Sequence, residues 1–233
     1  MSRHRPNFVS MRLELVDVAY RSKESPIIAQ ATITLESPAV VVVTGGTASG
    51  KSVLHALLTG ELTPTSGSIV VNGTDLSGLP LRKRRVLLGP LSTVRTDVFH
   101  DELNLFENLL LAAGSRGLPK EQATAAVLEG LADVGLSHRR LAPIHHLSTG
   151  ERVQAGIARA LLGSVEMLVI DDVFAGMDES SFRILLDYLT STILRREIGM
   201  VLLTTDDTLA QLLPGSQRYV LRDGVLSQHL EVI

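Results

Sequence analysis

VVVVTGGTASGKSVLHALL, residues 40–58, decides the fold. It opens with four valines that no polar residue interrupts, which reads as a strand buried on both faces. The loop that follows, Gly45 to Ser52, matches G-x-x-x-x-G-K-S, and the residues after it have helical spacing. Gly45 and Gly50 let the backbone curl until its N–H groups converge, and the N-terminal dipole of the helix adds to their field. Such a loop suits phosphate. Gly45, Gly46, Thr47, Ala48, Ser49, Gly50, Lys51, Ser52 and Val53 form the candidate binding loop, with Lys51 reaching the terminal phosphates and Ser52 ligating Mg²⁺.

Two further apolar runs, MLVI (167–170) and MVLLTT (200–205), have the same doubly buried character. With helical segments between them, they predict a parallel sheet. Upstream, RLELVDVAY (12–20), QATITLES (30–37) and GSIVVNG (67–73) alternate apolar with polar residues, as one-face-buried antiparallel strands do. Residues 101–162 contain no convincing strand; their helices are expected to start at Pro119 and to end at Gly114 and Gly135. The expected fold is α/β, a mostly parallel central sheet with an N-terminal antiparallel β-subdomain and an inserted helical lobe. The core lobe would span about 11–95 and 160–233, the helical lobe about 96–159.

Composition excludes several classes. A net charge of −3 argues against nucleic-acid binding through a general positive field, and the lack of cysteine removes disulfides and thiolate metal sites and suits a reducing cytosol. No apolar run approaches the roughly 18 residues of a membrane span, and the first ten residues lack the apolar core of a signal peptide, so direct membrane insertion is not expected.

At 171–172 the run MLVI meets two aspartates. The chain resembles P-loop NTPases, in which an Asp ending a buried strand completes the Mg²⁺ site; Asp171 holds that place. Between loop and acid lies HHLSTGERVQAGIARALL (145–162), which resembles the signature of ATP-binding cassette (ABC) proteins. Leu147, Ser148, Thr149, Gly150 and Glu151 stand for L-S-G-G-Q, ahead of the helix ending in Ala158-Arg159-Ala160-Leu161. Ser148 and Glu151 also fit a capping box, S-x-x-E, so helix capping and anion contact share the same residues. Tyr20 resembles the family's adenine-stacking aromatic, Asp178 its D-loop acid, and RYVLRDGVLSQ its closing hairpin. The resemblance implies an ABC nucleotide-binding domain that uses ATP and Mg²⁺. It further implies a dimer with itself or with a second cassette, each ATP lying between one subunit's phosphate loop and the other's signature. Transmembrane permease subunits are the implied partners, with the chain peripheral on the cytoplasmic face of the membrane.

The chain departs from that family at the hydrolytic positions. Asp172 stands where a glutamate normally activates water, one methylene short, and catalytic positioning tolerates little displacement. Asp206 occupies the place of the switch histidine, and an ionised carboxylate cannot donate to a phosphate. The Q-loop glutamine is absent, its place expected at Pro90 or Leu91, and Val53 replaces a common threonine. Two functions follow as expectations: a transporter ATPase subunit with weak hydrolysis, or a binding module that completes the site of an intact partner cassette. A permease would dock on residues 91–110, around Phe99, Leu103, Leu105 and Phe106, unless these four apolar residues form core of the helical lobe.

Overall fold

The computed structural model describes residues 10–23, 25–174, 177, 179–213 and 215–229. In chain order the strands are β1 (Arg12–Ser22), β2 (Ser25–Glu36), β3 (Val40–Thr44), β4 (Ser66–Val71), β5 (Thr74–Asp75), β6 (Leu91–Thr93), β7 (Met167–Asp171), β8 (Gly199–Thr204), β9 (Gln217–Arg222) and β10 (Val225–Gln228). The helices are α1 (Lys51–Leu58), α2 (Leu81–Leu87), α3 (Leu105–Ser115), α4 (Lys120–Asp133), α5 (Thr149–Ala160), α6 (Glu179–Arg196) and α7 (Asp207–Gln211). All ten strands join one sheet in the order β5-β4-β1-β2-β10-β9-β3-β8-β7-β6.

The predicted division of the sheet holds. Strands β9, β3, β8, β7 and β6 run parallel, whereas β1 pairs antiparallel with β2 and β4. Burial explains why the valine run is continuous. Val41 and Val43 face the cluster built on Leu54, Leu57 and Leu58 of α1, and Val42 faces the opposite cluster with Ile157, Leu185 and Leu189. Each side chain leaves water for one of two cores, so no position is free to be polar.

A third apolar cluster gathers α3, α4 and α5 around Leu105, Leu109, Val127, Leu131 and Ala158. Helix α5 serves both bodies, because Val153 and Ile157 belong to the sheet's core while Ala155 and Ala158 belong to the helical cluster. No strand falls within residues 101–162. Gly135 closes α4 in the left-handed region (φ 77), as expected. Gly114 does not close α3; the helix runs on to Ser115, and Gly117 (φ 79) takes the left-handed turn. Pro119 immediately precedes α4, its fixed φ suiting a helix entrance.

Two observations bear on the segment that enters the helical lobe. Leu91 opens β6 opposite Met167, at the end of the parallel strands remote from the phosphate loop, so neither Pro90 nor Leu91 borders that loop. The chain leaves the sheet after Val94, whose N–H donates to Val169 O, and Arg95 is the first residue at the loop end. Within the expected docking segment, Leu105 is fully buried in the helical cluster and Phe99 and Phe106 pack against it. Asn108 shapes that segment: its side-chain amide donates to His100 O, Leu103 O and Asn104 O, and its Oδ1 accepts from His100 N.

Candidate phosphate site

Loop and helix form as the glycines require. A Cβ on Gly45 would lie 2.6 Å from Ser49 Oγ and 2.7 Å from Leu221 O, so no larger residue fits. Gly50 sits at φ 104 and is the N-cap of α1, while Ala48 holds the left-handed region at φ 64. This alternation of backbone conformations turns successive N–H groups into one concavity. Leu54 N is the first amide of α1 to find a helical partner, Gly50 O, so those of Lys51, Ser52 and Val53 are left to a ligand.

Charge makes the same demand. Lys51 is only 7% exposed, and its Nζ donates to Gly45 O at 2.7 Å and Gly46 O at 3.0 Å. Among the described residues no carboxylate pairs with it, and a buried cation held by carbonyls alone is stabilised by an incoming anion. Ser49 Oγ is likewise buried without a partner. The loop borders an open cleft of about 1010 Å³ that continues along the β9–β10 hairpin past Tyr219 and Asp223. Tyr20 is not among the residues lining that cleft; it packs, half-buried, against the first core cluster.

Asp171 ends β7 half-buried, and α1 lies against that strand. His55 of α1, invisible to motif reading, is buried there and shares a 2.7 Å hydrogen bond with Thr93 Oγ1. Burial pulls its pKa below the usual value, against the opposing pull of Asp171 and Glu61, and the cation of Arg95 adds to the lowering.

The two departing acids lie together. Asp172 adopts φ 46, its N–H donates to Leu203 O, and its carboxylate accepts from Thr205 Oγ1 at 3.3 and 3.4 Å. Asp206 caps α7, accepting from Thr208 N at 2.8 Å and Thr208 Oγ1 at 2.6 Å. Both line a hollow of about 650 Å³ with Phe174 and Met177. Asp178 lies outside the described residues.

Ser148 caps α5 through a complete box: Glu151 N donates to Ser148 Oγ at 3.2 Å, and Ser148 N to Glu151 Oε2 at 2.8 Å. Burial opposes ionisation of Glu151, but hydrogen bonds from Ser148 and Arg139 outweigh it and hold the carboxyl below its ordinary range. Leu147 is buried, Ser148 and Thr149 are exposed, and a Cβ on Gly150 would meet only Met177 Cε, at 3.7 Å. The N–H groups of Thr149 and Gly150 therefore face outward, free of helical partners. The other end of α5 is held by residues that carry no motif. Arg116 donates to Ala160 O, Leu162 O and Ser92 Oγ, and Arg196 to Leu161 O and Gly163 O. Burial, with the charges of Arg159 and Arg196, pushes the Arg116 pKa down to about 10.

Known proteins are similar to this chain. The family model described as ABC transporter matches residues 28–175. An ABC transporter ATP-binding protein of Bacillus subtilis, YtrE, is 26% identical over 221 residues, covering 91% of this chain and 92% of that protein. The thiamine import ATP-binding protein ThiQ of Brucella abortus is 33% identical over 200 residues, 85% of this chain and 79% of its own. Among solved structures, a dimeric ATP-binding cassette in a post-hydrolysis state with ADP and Pi superposes with a TM-score of 0.81 at 19% identity, covering 93% of this chain and 98% of its own.

Proposed function

The chain belongs to the ABC transporter family, and on that footing we propose that it is the ATP-binding subunit of a membrane transport complex in which ATP holds a dimer closed and is split slowly. The phosphate loop from Gly45 to Val53 holds the nucleotide, its free N–H groups and Lys51 taking the phosphates. Ser52 and Asp171 are the residues that would hold Mg²⁺, which when bound neutralises phosphate charge. Permease subunits are the membrane partners, and they place the chain on the cytoplasmic face. Core lobe and helical lobe are the two parts of one nucleotide-binding domain.

One observation carries the slow-hydrolysis reading. Asp172 and Asp206 are engaged with Thr205 and Thr208, so each acid already satisfies neighbouring donors on the same chain. A carboxylate held on Thr205 is one methylene short as a base for water, and the Asp206 carboxylate cannot donate to a terminal phosphate. The test is the double change Asp172→Glu with Asp206→His, which should raise steady-state ATP turnover by about 10²-fold. Unchanged turnover would remove the attribution to these two positions. Lys51→Ala is the control and should abolish nucleotide binding.

The complete Ser148 capping box favours a second reading. A chain with an intact signature and a weakened base can close over a partner cassette's ATP while its own site only holds ATP. Purification with membrane subunits separates the cases: a second, different cassette in the complex supports this reading, and two copies of this chain exclude it.

A further inference from the structure

Helix α2 takes no part in the phosphate site and buries none of its residues. Between Leu76 and Thr96 the chain carries five cations and no acid, although its net charge is −3. Four of the five are consecutive, Arg82 to Arg85. Arg84 turns inward and donates to Thr63 Oγ1, and Leu87 packs on the first core cluster. The outer side is left with Arg82, Lys83 and Arg85, all exposed, flanked by Leu81 at 48% and Val86 at 74% exposure. Among the described residues no carboxylate pairs with any of these three cations.

From this face we infer that α2 rests on an anionic lipid surface, its cations on headgroup phosphates and Leu81 and Val86 at the headgroup boundary. Cations alone would suit any polyanion. The two exposed aliphatic residues distinguish the patch, since they add nothing to a contact with nucleic-acid phosphates but gain from seating at a lipid interface. No aromatic residue lies between Leu76 and Thr96 to stack a base. Placement permits the contact. Helix α2 leads into β6 at Leu91, level with the entrance of β3, so a surface seated on α2 leaves the loop after Thr44 open. Contact with the membrane then does not run only through permease subunits, yet it needs no inserted segment.

Co-sedimentation of the full-length chain with lipid vesicles tests this. The chain should bind vesicles of phosphatidylcholine containing about one third phosphatidylserine and ignore pure phosphatidylcholine, and added salt should weaken binding. Each surface cation contributes about fivefold to partition, so Arg82→Gln, Lys83→Gln and Arg85→Gln together should lower it by about 10²-fold. Nucleotide affinity should stay as in the parent, which verifies that the variant is folded. A separate Val86→Asp change should also weaken partition, and parental partition there would contradict the seating of the helix. Equal binding to neutral vesicles, an unaffected triple variant, or no binding to either vesicle overturns the inference. Binding to a single-stranded RNA that is lost in the triple variant, with vesicles ignored, would reassign the face to nucleic acid and equally overturn it.

Discussion

Gly156 lies in the middle of α5, where alanine would ordinarily be the better residue by about 1 kcal/mol. Its surroundings reverse that preference. A Cβ there would stand 2.8 Å from Arg95 O, 3.3 Å from Val94 Cγ1 and 3.4 Å from Arg95 C, inside the separations of about 3.5–4.0 Å at which atoms settle. Neither side yields readily: Val94 is buried with its N–H bonded to β7, and α5 is held at its far end by Arg116 and Arg196. Helix and loop must part by about half an ångström, and overpacking of this kind costs about 1–3 kcal/mol. Gly156→Ala should thus lose a net amount of about 1 kcal/mol, lowering Tm by about 2–4 °C in a chain of this size. Gly130→Ala supplies the contrast, because in α4 its Cβ would meet only Ala158 Cβ at 3.9 Å. That change should raise Tm by a similar amount. Thermal unfolding of parent and both variants decides the matter. A Gly156→Ala protein as stable as the parent, or more so, would refute the close approach of the signature helix to the loop that begins at Arg95.

Ser148→Ala removes half of the capping box and should cost about 1 kcal/mol by denaturant unfolding while weakening ATP-dependent dimer closure. Asn108→Ala strands His100 N and Leu103 O, while His100 O and Asn104 O keep the backbone donors Leu103 N and Asn108 N. It should cost about 2–3 kcal/mol, so that proteolysis begins in the segment from His100 to Asn104. His55 has a folded-state pKa below its unfolded value. The unfolded chain therefore takes up the proton first as pH falls, and stability drops from the ordinary histidine range downward. His55→Gln should flatten the pH dependence of unfolding in that window, and an unchanged slope would contradict the burial of a neutral His55. Asp172→Glu should lose about 1 kcal/mol of stability, since φ 46 suits aspartate better than a longer side chain.

How much was legible follows from where each residue's environment lies. The parallel strands were plain because Val41, Val42 and Val43 face two cores at once, which leaves an uninterrupted apolar run. The phosphate loop was plain because its chemistry is local to eight residues. Strand β6 was missed because it has three residues, one of them Ser92, and gains its identity only from pairing with β7. That miss set the glutamine's expected place at Pro90 or Leu91, where the strand begins at the end remote from the phosphate loop. Helix α2 has no apolar stripe to reveal it. His55 and Arg116 carry no motif; their partners Thr93, Ala160 and Leu162 are 38, 44 and 46 residues away, a separation that only the fold closes. The capping roles of Ser148 and Gly135 were readable because a cap binds residues within one turn. Gly114 failed the same reading because α3 continues one residue beyond it to Ser115.

ATP affinity and steady-state ATP turnover, measured side by side on the purified chain, test the central claim most directly. The account predicts nucleotide binding that depends on Lys51, with turnover far below the rate of about 1 s⁻¹ at which ordinary enzymes begin. Turnover at or above that rate by the unaided chain would show that Asp172 and Asp206 do not restrain hydrolysis, and would contradict it.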